Sequence, residues 1–579
     1  MSSHHQNSDG RIVGSSTTDG HPEHVAADEA SGGESRRGVR RVAALVTTVL
    51  AGLLVFLALI APREFGQLTP AALVRIPVEG LVGVVLLLVL PVRARKVVAV
   101  LGGVVLGLLT ILKILDMGFL TFLARPFDPV LDWVLVDDAL SFVRGSFGQA
   151  GAIGSVVAAV ALVAAVLVLM TLSVLRMSHL VARHRATAGR SVAVLSAAWL
   201  TCAVLGAQIV PPVPIAARSA ASLAYQEAVQ APASLHDQQA FATEAAVDAF
   251  RGTPGSQLLT ALRGKDVIFS FVESYGRDAV EDPEFASQVG AVLDDGNRRL
   301  SAAGFASRSA FLTSPVAGGG SWLAHATFFS GLWIDNNQRD RNLVSTDRLT
   351  LTSAFQRANW QTVAVMPGTS EPWPERAFYG LDRLYDSHSI GYHGPRFGWS
   401  PMPDQFALSA FERSEYGKPN RPPLMAEVVL TSSHMPWAPI PRFIDSADVG
   451  DGSVYGPMIA EGNSTDAVWK DASRVRTEYR RSIEYSLTSL ISWVQNNGDD
   501  NLVLVFLGDH QPLPIVTGDG ASKDVPITIV ARDKTVLDRI SGWNWQDGLK
   551  PGPQAPVWPM NAFRDRFLTA FGPQPERAG

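Results

Sequence analysis

"LVLVFLGDHQP", Leu502 to Pro512, decides the reading of this chain: six apolar residues run straight into Gly-Asp-His-Gln-Pro. A short, continuous apolar run of this kind fits a strand buried on both faces. Packing alone gives no reason to end it with two metal-grade ligands side by side. The reason appears when the other apolar runs are read by their ends. "DVIFSFVES" (266–274), "WQTVAVMPG" (360–368), "MAEVVLTSSH" (425–434) and "VPITIVARD" (525–533) alternate with helical patterns. That alternation predicts an α/β domain with a mostly parallel sheet covered on both faces. In open α/β sheets chemistry gathers at the carboxyl ends of the strands. Those ends deliver Glu273, His434, and Asp509 with His510 to one rim. Singly, Glu273 also reads as a helix cap or surface group, and His434 as a loop histidine bonded to backbone. Together they read as a shared metal or phosphate site.

A nucleophile candidate lies in "TSPVAGGGSWLAHATFFSGL", Thr313 to Leu332. Three glycines precede Ser321, and a helical pattern follows. Glycine-rich backbone ahead of a helix start offers free N–H groups, and the helix dipole favours an anion there. An ordinary N-cap is the plainer role for Ser321. His325 falls four residues on, on the same helical face, and is read as structural.

The amino-terminal part has a different composition. Of the 579 residues 47% are hydrophobic, and the excess lies before residue 212. Residues 1–35 are polar and aperiodic and read as a disordered cytoplasmic tail. "RRGVRR" then leads into an apolar run at 42–62, and further runs cover about 71–91, 97–116, 151–175 and 191–210. Each approaches the roughly 20 residues that cross about 30 Å of hydrocarbon. Arg75, Pro77 and Glu79 interrupt the second run. Five spans put "RRGVRR", "VRARK" (92–96) and the basic segment 176–190 on the cytoplasmic side, as the positive-inside rule requires. Everything after Pro211 is then extracytoplasmic. Arg75, Glu79, Lys113 and Asp116 are read as snorkelling from near the outer ends of spans. The expected division is a tail (1–35), a transmembrane domain (36–211), a juxtamembrane linker with one or two amphipathic helices (212–264), and a catalytic domain (265–579). A net charge of -5 with no basic stripe argues against a nucleic-acid partner. The single cysteine, Cys202, excludes an intrachain disulfide.

At these residues the chain resembles the alkaline phosphatase superfamily. It is most similar to the membrane-anchored sulfatase-fold branch that contains lipoteichoic acid synthase and related phosphoglycerol transferases. In that family a strand-end Glu, a Thr nucleophile and an Asp-His pair bind one divalent metal, usually manganese. The resemblance implies Glu273 from "FVES", Ser321 from "GGGSW", and Asp509 and His510 from "LGDH" as metal ligands, with Ser321 as nucleophile. It implies Mn²⁺ foremost, with Mg²⁺ or Zn²⁺ as alternatives. It also implies Trp373 and Arg376 of "EPWPERAFYG" and His434 of "TSSHMPW" as substrate-binding residues, His434 also as a catalytic acid. The segment "GWSPMPDQF" (398–406) fits the same alignment.

The chain departs from the family pattern in three places. Ser321 stands where these transferases usually carry Thr; both are alcohols. One extra residue separates Trp373 from Arg376 compared with the family's Trp-x-Arg. True sulfatases need a C/S-x-P-x-R motif, whereas "SWLAH" stands here, which argues against sulfate-ester hydrolysis. The implied function is transfer of a phosphoglycerol-type headgroup from a membrane lipid donor to an envelope glycan or lipid-linked acceptor. A hydrolase or a phosphoethanolamine transferase on the same fold is the nearest alternative, and a non-catalytic membrane scaffold the more distant one.

Overall fold

The computed structural model describes residues 25–63, 69–123, 125–129, 131–132, 134–210, 213–217, 219–370, 373–518 and 520–573. Of the tail read as disordered, 1–24 lie outside the described residues, and the chain is helical from Val25. Two compact units emerge: one takes residues up to Ala61, 69–111 and 159–221, the other 62–68, 112–158 and 222–579.

The amino-terminal helices are α1 (Val25–Ile60), α2 (Val78–Val89), α3 (Val92–Leu123), α4 (Val134–Arg183) and α5 (Arg185–Leu205). Among the described residues, four stretches are long and apolar enough to cross a membrane: Val39–Ile60, Val92–Leu123, Gly148–Arg183 and Arg185–Leu205. Over the expected second span, 71–91, the apolar helix is the 12-residue α2. At 1.5 Å per residue it is about 18 Å long, well under about 30 Å of hydrocarbon. Pro77 and Pro91 bracket it, and neither can donate a backbone N–H. Of the charges read as snorkelling, Lys113 and Asp116 are buried, and Asp116 pairs with Arg63 at 2.7 Å. Among the described residues the linker contains one α-helix, α6 (Ser219–Ala246), whose Phe241 and Ala245 are buried in the core of the second unit.

The second unit is built on a nine-stranded sheet. In chain order its strands are β1 (Asp266–Val272), β2 (Ala306–Thr313), β3 (Gln361–Val365), β4 (Arg383–Tyr385), β5 (Leu424–Leu430), β6 (Leu502–Gly508), β7 (Asp524–Ala531), β8 (Gln546–Asp547) and β9 (Val557–Pro559). The spatial order is β8-β2-β7-β6-β1-β5-β3-β4, with β9 also paired to β2. The run β6-β1-β5-β3-β4 is parallel, while β7 is antiparallel to both β6 and β2. All five apolar runs are strands, and β2 adds a sixth long one that the sequence reading missed.

Alternation along the central strands feeds two cores. Ile268, Leu504 and Phe506 face one cluster with helices α7 (Ala286–Ala302), α9 (Asp404–Phe411) and α10 (Ala472–Asn497). Phe269, Phe271, Val503 and Val505 face the other with α8 (Ser321–Ser330) and α11 (Ala562–Phe571). Phe269 meets Phe328, Phe329, Phe355 and Phe567 edge-on, with ring centroids 5.7–6.1 Å away. This two-sided burial is why the strands read as unbroken apolar runs, and it seats α8 on the sheet face beneath the strand ends.

Candidate active site

The register between β1 and β6 sets the site. Val272 pairs with Gly508, so Glu273 and Asp509 leave adjacent strands side by side. A Cβ at Gly508 would lie 1.9 Å from the Tyr275 carbonyl oxygen, so only glycine allows this approach. Ser274 takes a left-handed φ of 57° directly after Glu273. Such strain persists only where the surroundings enforce it, and here they do. The Ser274 N–H donates to Asp509 Oδ1 at 2.8 Å, and its hydroxyl donates to Glu273 Oε1 at 2.9 Å.

Gly320, at φ 85°, turns the glycine loop into α8 with Ser321 as the first helical residue. The Ser321 hydroxyl donates to Glu273 Oε2 at 3.0 Å and stands 3.2 Å from His510 Nε2. The backbone N–H groups of Ser321 and Trp322 have no acceptor among the described residues; both point from a helix start. His510 Nδ1 contacts the Gln511 carbonyl at 2.8 Å. With one proton held there, loss of the other turns the Nε2 lone pair toward the cluster.

Glu273, Asp509 and His510 are all buried, and their ligand atoms lie within 4.8 Å of one another. Burial pushes the Asp509 carboxyl up to about 6, and the Glu273 charge adds to the shift. Burial acts against the imidazolium of His510, but Asp509 and Glu273 overcome it and raise the ring to about 9. Burial likewise opposes the Glu273 carboxylate, yet the charge of His434 and the hydrogen bond from His510 hold it below the usual carboxylate range. Asp509 Oδ2 is buried without a hydrogen-bond partner. An orphaned carboxylate oxygen beside a second carboxylate and an imidazole is costly on its own and fits a divalent cation. The residues therefore fit the metal that the resemblance implies.

The other expected residues are less tightly gathered. His434 stacks on Trp399 with centroids 3.8 Å apart and interacts with Glu273 through charge, without a hydrogen bond to the cluster. Trp373 packs against Tyr379, and Arg376 opens a four-residue helix, exposed, its guanidinium without a hydrogen bond or ion pair to any described residue. Neither makes a polar or ring contact with the cluster. His325 stacks on Phe271 at 3.8 Å and lies 3.0 Å from the buried Glu427. Sequence reading passed over Glu427, although a lone acid inside "MAEVVL" was the available signal. It also passed over Ser274 and Trp399, which have no such signal.

Residues 265–524 match the sulfatase family. No curated protein matches the chain. Several solved structures are similar. Lipooligosaccharide phosphoethanolamine transferase A from Neisseria meningitidis aligns over 92% of this chain and 94% of its own, with 14% identity and a TM-score of 0.44. The lipoteichoic acid synthase LtaP from Listeria monocytogenes covers 55% and 74%, with 16% identity and a TM-score of 0.36. The Streptococcus pyogenes phosphoglycerol transferase GacH, in complex with sn-glycerol-1-phosphate, covers 58% and 90%, with 12% identity and a TM-score of 0.34. At such identities the assignment rests on the match over 265–524 and on the site, rather than on the superpositions. Residues 265–524 therefore form a sulfatase-family domain, preceded in the sequence by helices long and apolar enough to cross a membrane.

Proposed function

We propose that this enzyme moves a phosphoglycerol-type headgroup from a membrane phospholipid to an envelope acceptor hydroxyl, through a covalent intermediate on Ser321. The observation that carries the reading is the Ser321 hydroxyl, 3.0 Å from Glu273 and 3.2 Å from His510 Nε2, beside an orphaned Asp509 oxygen. Glu273, Asp509, His510 and Ser321 would hold one divalent ion. A donor set of oxygens and imidazole with no thiolate suits Mn²⁺, the favoured ion, and also Mg²⁺ or Zn²⁺. Such an ion, when bound, lowers the pKa of an alcohol and offsets phosphate charge.

The rest falls to the chain's own groups. Ser321 Oγ attacks phosphorus as its proton passes to Glu273 Oε2, the oxygen it donates to; the P–O bond to diacylglycerol breaks, and His434 protonates the departing oxygen. The free N–H groups of Ser321 and Trp322 face the phosphoryl oxygens. Arg376, unpaired and exposed, is the substrate-side guanidinium, and Trp373 lies three residues before it. An acceptor hydroxyl then displaces Ser321 and releases the phosphodiester. The catalytic domain is assigned to the outer face of the cell membrane, and "SWLAH" in place of the C/S-x-P-x-R motif favours phosphate over sulfate esters.

The test is transfer of label from phosphatidylglycerol, with phosphatidylethanolamine as the competing donor, in membranes carrying the full chain. Ser321→Ala should abolish transfer, and Ser321→Thr should retain part of it. Transfer that survives Ser321→Ala would overturn the reading.

A further inference from the structure

Beside the nucleophile lies a cavity of about 160 Å³ whose walls come from two distant parts of the chain. Gly320 and Trp322 line it from the start of α8, Leu123 from the end of α3 and Leu135 from the start of α4, and Arg125 and Lys523 supply cations. The two segments are closely fitted: a Cβ on Gly318 would come within 2.5 Å of the Phe122 carbonyl oxygen. Arg125 is held in place by two hydrogen bonds to Asp132, at 2.8 and 2.6 Å. Lys523 is placed differently. Its ammonium donates to the Pro315 carbonyl at 3.0 Å and has no carboxylate within ion-pair distance among the described residues. Asp335 also lines the cavity, but beyond that distance. Burial lowers the Lys523 pKa; the more distant Asp335 carboxylate opposes this without offsetting it, and the like charge of Arg125 adds to the lowering. Two cations turned toward one small cavity, one lacking a carboxylate partner, are best reconciled by an anion between them.

The rest of the wall selects what carries that anion. Trp322 is 46% exposed although its indole is fixed by a 2.9 Å hydrogen bond to Asn337. Leu123 is the last residue of the apolar helix α3. A free phosphate ester would use the cations and leave this apolar rim idle.

We propose that this cavity is the donor subsite, binding the phosphate of a phospholipid through Lys523 and Arg125 and its glycerol backbone and first chain carbons against Leu123, Leu135 and Trp322. The assignment rests on the transferase reading for Ser321, the residue just before Trp322, and names the groups that choose a lipid over a soluble ester.

The experiment uses the full chain in detergent, carrying Ser321→Ala so that no turnover occurs. Binding of dihexanoylphosphatidylglycerol is compared with binding of glycerol phosphate and inorganic phosphate. The lipid should bind at least tenfold more tightly than either soluble ester. Lys523→Met should weaken lipid binding at least tenfold, and Lys523→Arg should restore it to within threefold. Leu135→Asn, which leaves both cations in place, should weaken the lipid but not glycerol phosphate. Equal affinity for lipid and glycerol phosphate, or lipid binding unchanged by Lys523→Met, would overturn the subsite. Lysine-dependent lipid binding by a chain whose Ser321 form transfers nothing from any donor would instead sink the transferase reading and leave the subsite standing.

Discussion

A soluble fragment cut at the start of the family match should fail, and the reason lies in Asp248. This aspartate stands ahead of β1, yet its side chain and that of Arg564 on α11 are both fully buried, 2.7 Å apart. Its Oδ1 also accepts the Phe250 N–H at 3.0 Å, and its Oδ2 the Leu349 N–H at 2.9 Å. Removing one partner of a buried pair costs about 3–5 kcal/mol, because the remaining charge is stranded. Arg564 keeps a second bond to the half-exposed Asp565 at 2.7 Å, so the lower end, about 3 kcal/mol, applies to Asp248→Ala. Arg348, its guanidinium 3.9 Å from Asp248, is left facing a like charge. A fragment 265–579 loses Asp248 and also the fully buried Phe241, a side chain worth about 3–5 kcal/mol. The combined loss of about 6–8 kcal/mol consumes most of a typical domain's 5–15 kcal/mol. Urea unfolding of 222–579, of the same fragment with Asp248→Ala, and of 265–579 measures both steps. Asp248→Ala costing under about 1 kcal/mol, or 265–579 unfolding at the midpoint of the longer fragment, would refute this reasoning.

Three further outcomes are expected. Metal binding must displace the proton from His510 Nε2, whose raised pKa of about 9 keeps the ring charged at neutral pH. Calorimetry in buffers of different ionisation enthalpy should therefore show about one proton released at pH 7.5, fading as pH rises through the raised value; no release would contradict the electrostatics of the cluster. The same raised pKa contributes stability to the metal-free protein that is complete below the unfolded value of about 6.5 and lost as pH rises toward 9. His325→Phe keeps a ring against Phe271 but strands the buried Glu427, so it should cost about 1–3 kcal/mol in thermal unfolding; a neutral result would mean that Glu427 has another partner. A reporter active only after export, fused after residue 250, should be active despite the 12-residue α2; an inactive fusion would place the catalytic domain inside.

What the sequence disclosed follows from where its physics is local. A strand buried on both faces writes itself as "LVLVFL" and "DVIFSFV", and a ligand at its tip has no packing excuse, so Glu273, Asp509 and His510 were legible from order alone. The strand β2, "ASRSAFLT", was hidden because its first half is half-buried and carries Ser and Arg. The shortness of α2 was half visible in Pro77 and Pro91, but nothing local says where an apolar run stops being helical. The donor cavity and the Asp248–Arg564 pair join residues about 200 to 400 positions apart, and no periodicity reports such a meeting. The roles of Trp373 and Arg376 came from the family pattern, and neither touches the cluster as the chain is folded here.

The most direct test of the central claim is a covalent one. Membranes carrying the full chain are given labelled phosphatidylglycerol, quenched in acid within a turnover, digested, and the peptide bearing Ser321 is weighed. A glycerophosphoryl group on Ser321, absent in Asp509→Ala, is the predicted result. Labelled acceptor product formed with Ser321 never modified, or the adduct found on another residue, would contradict it.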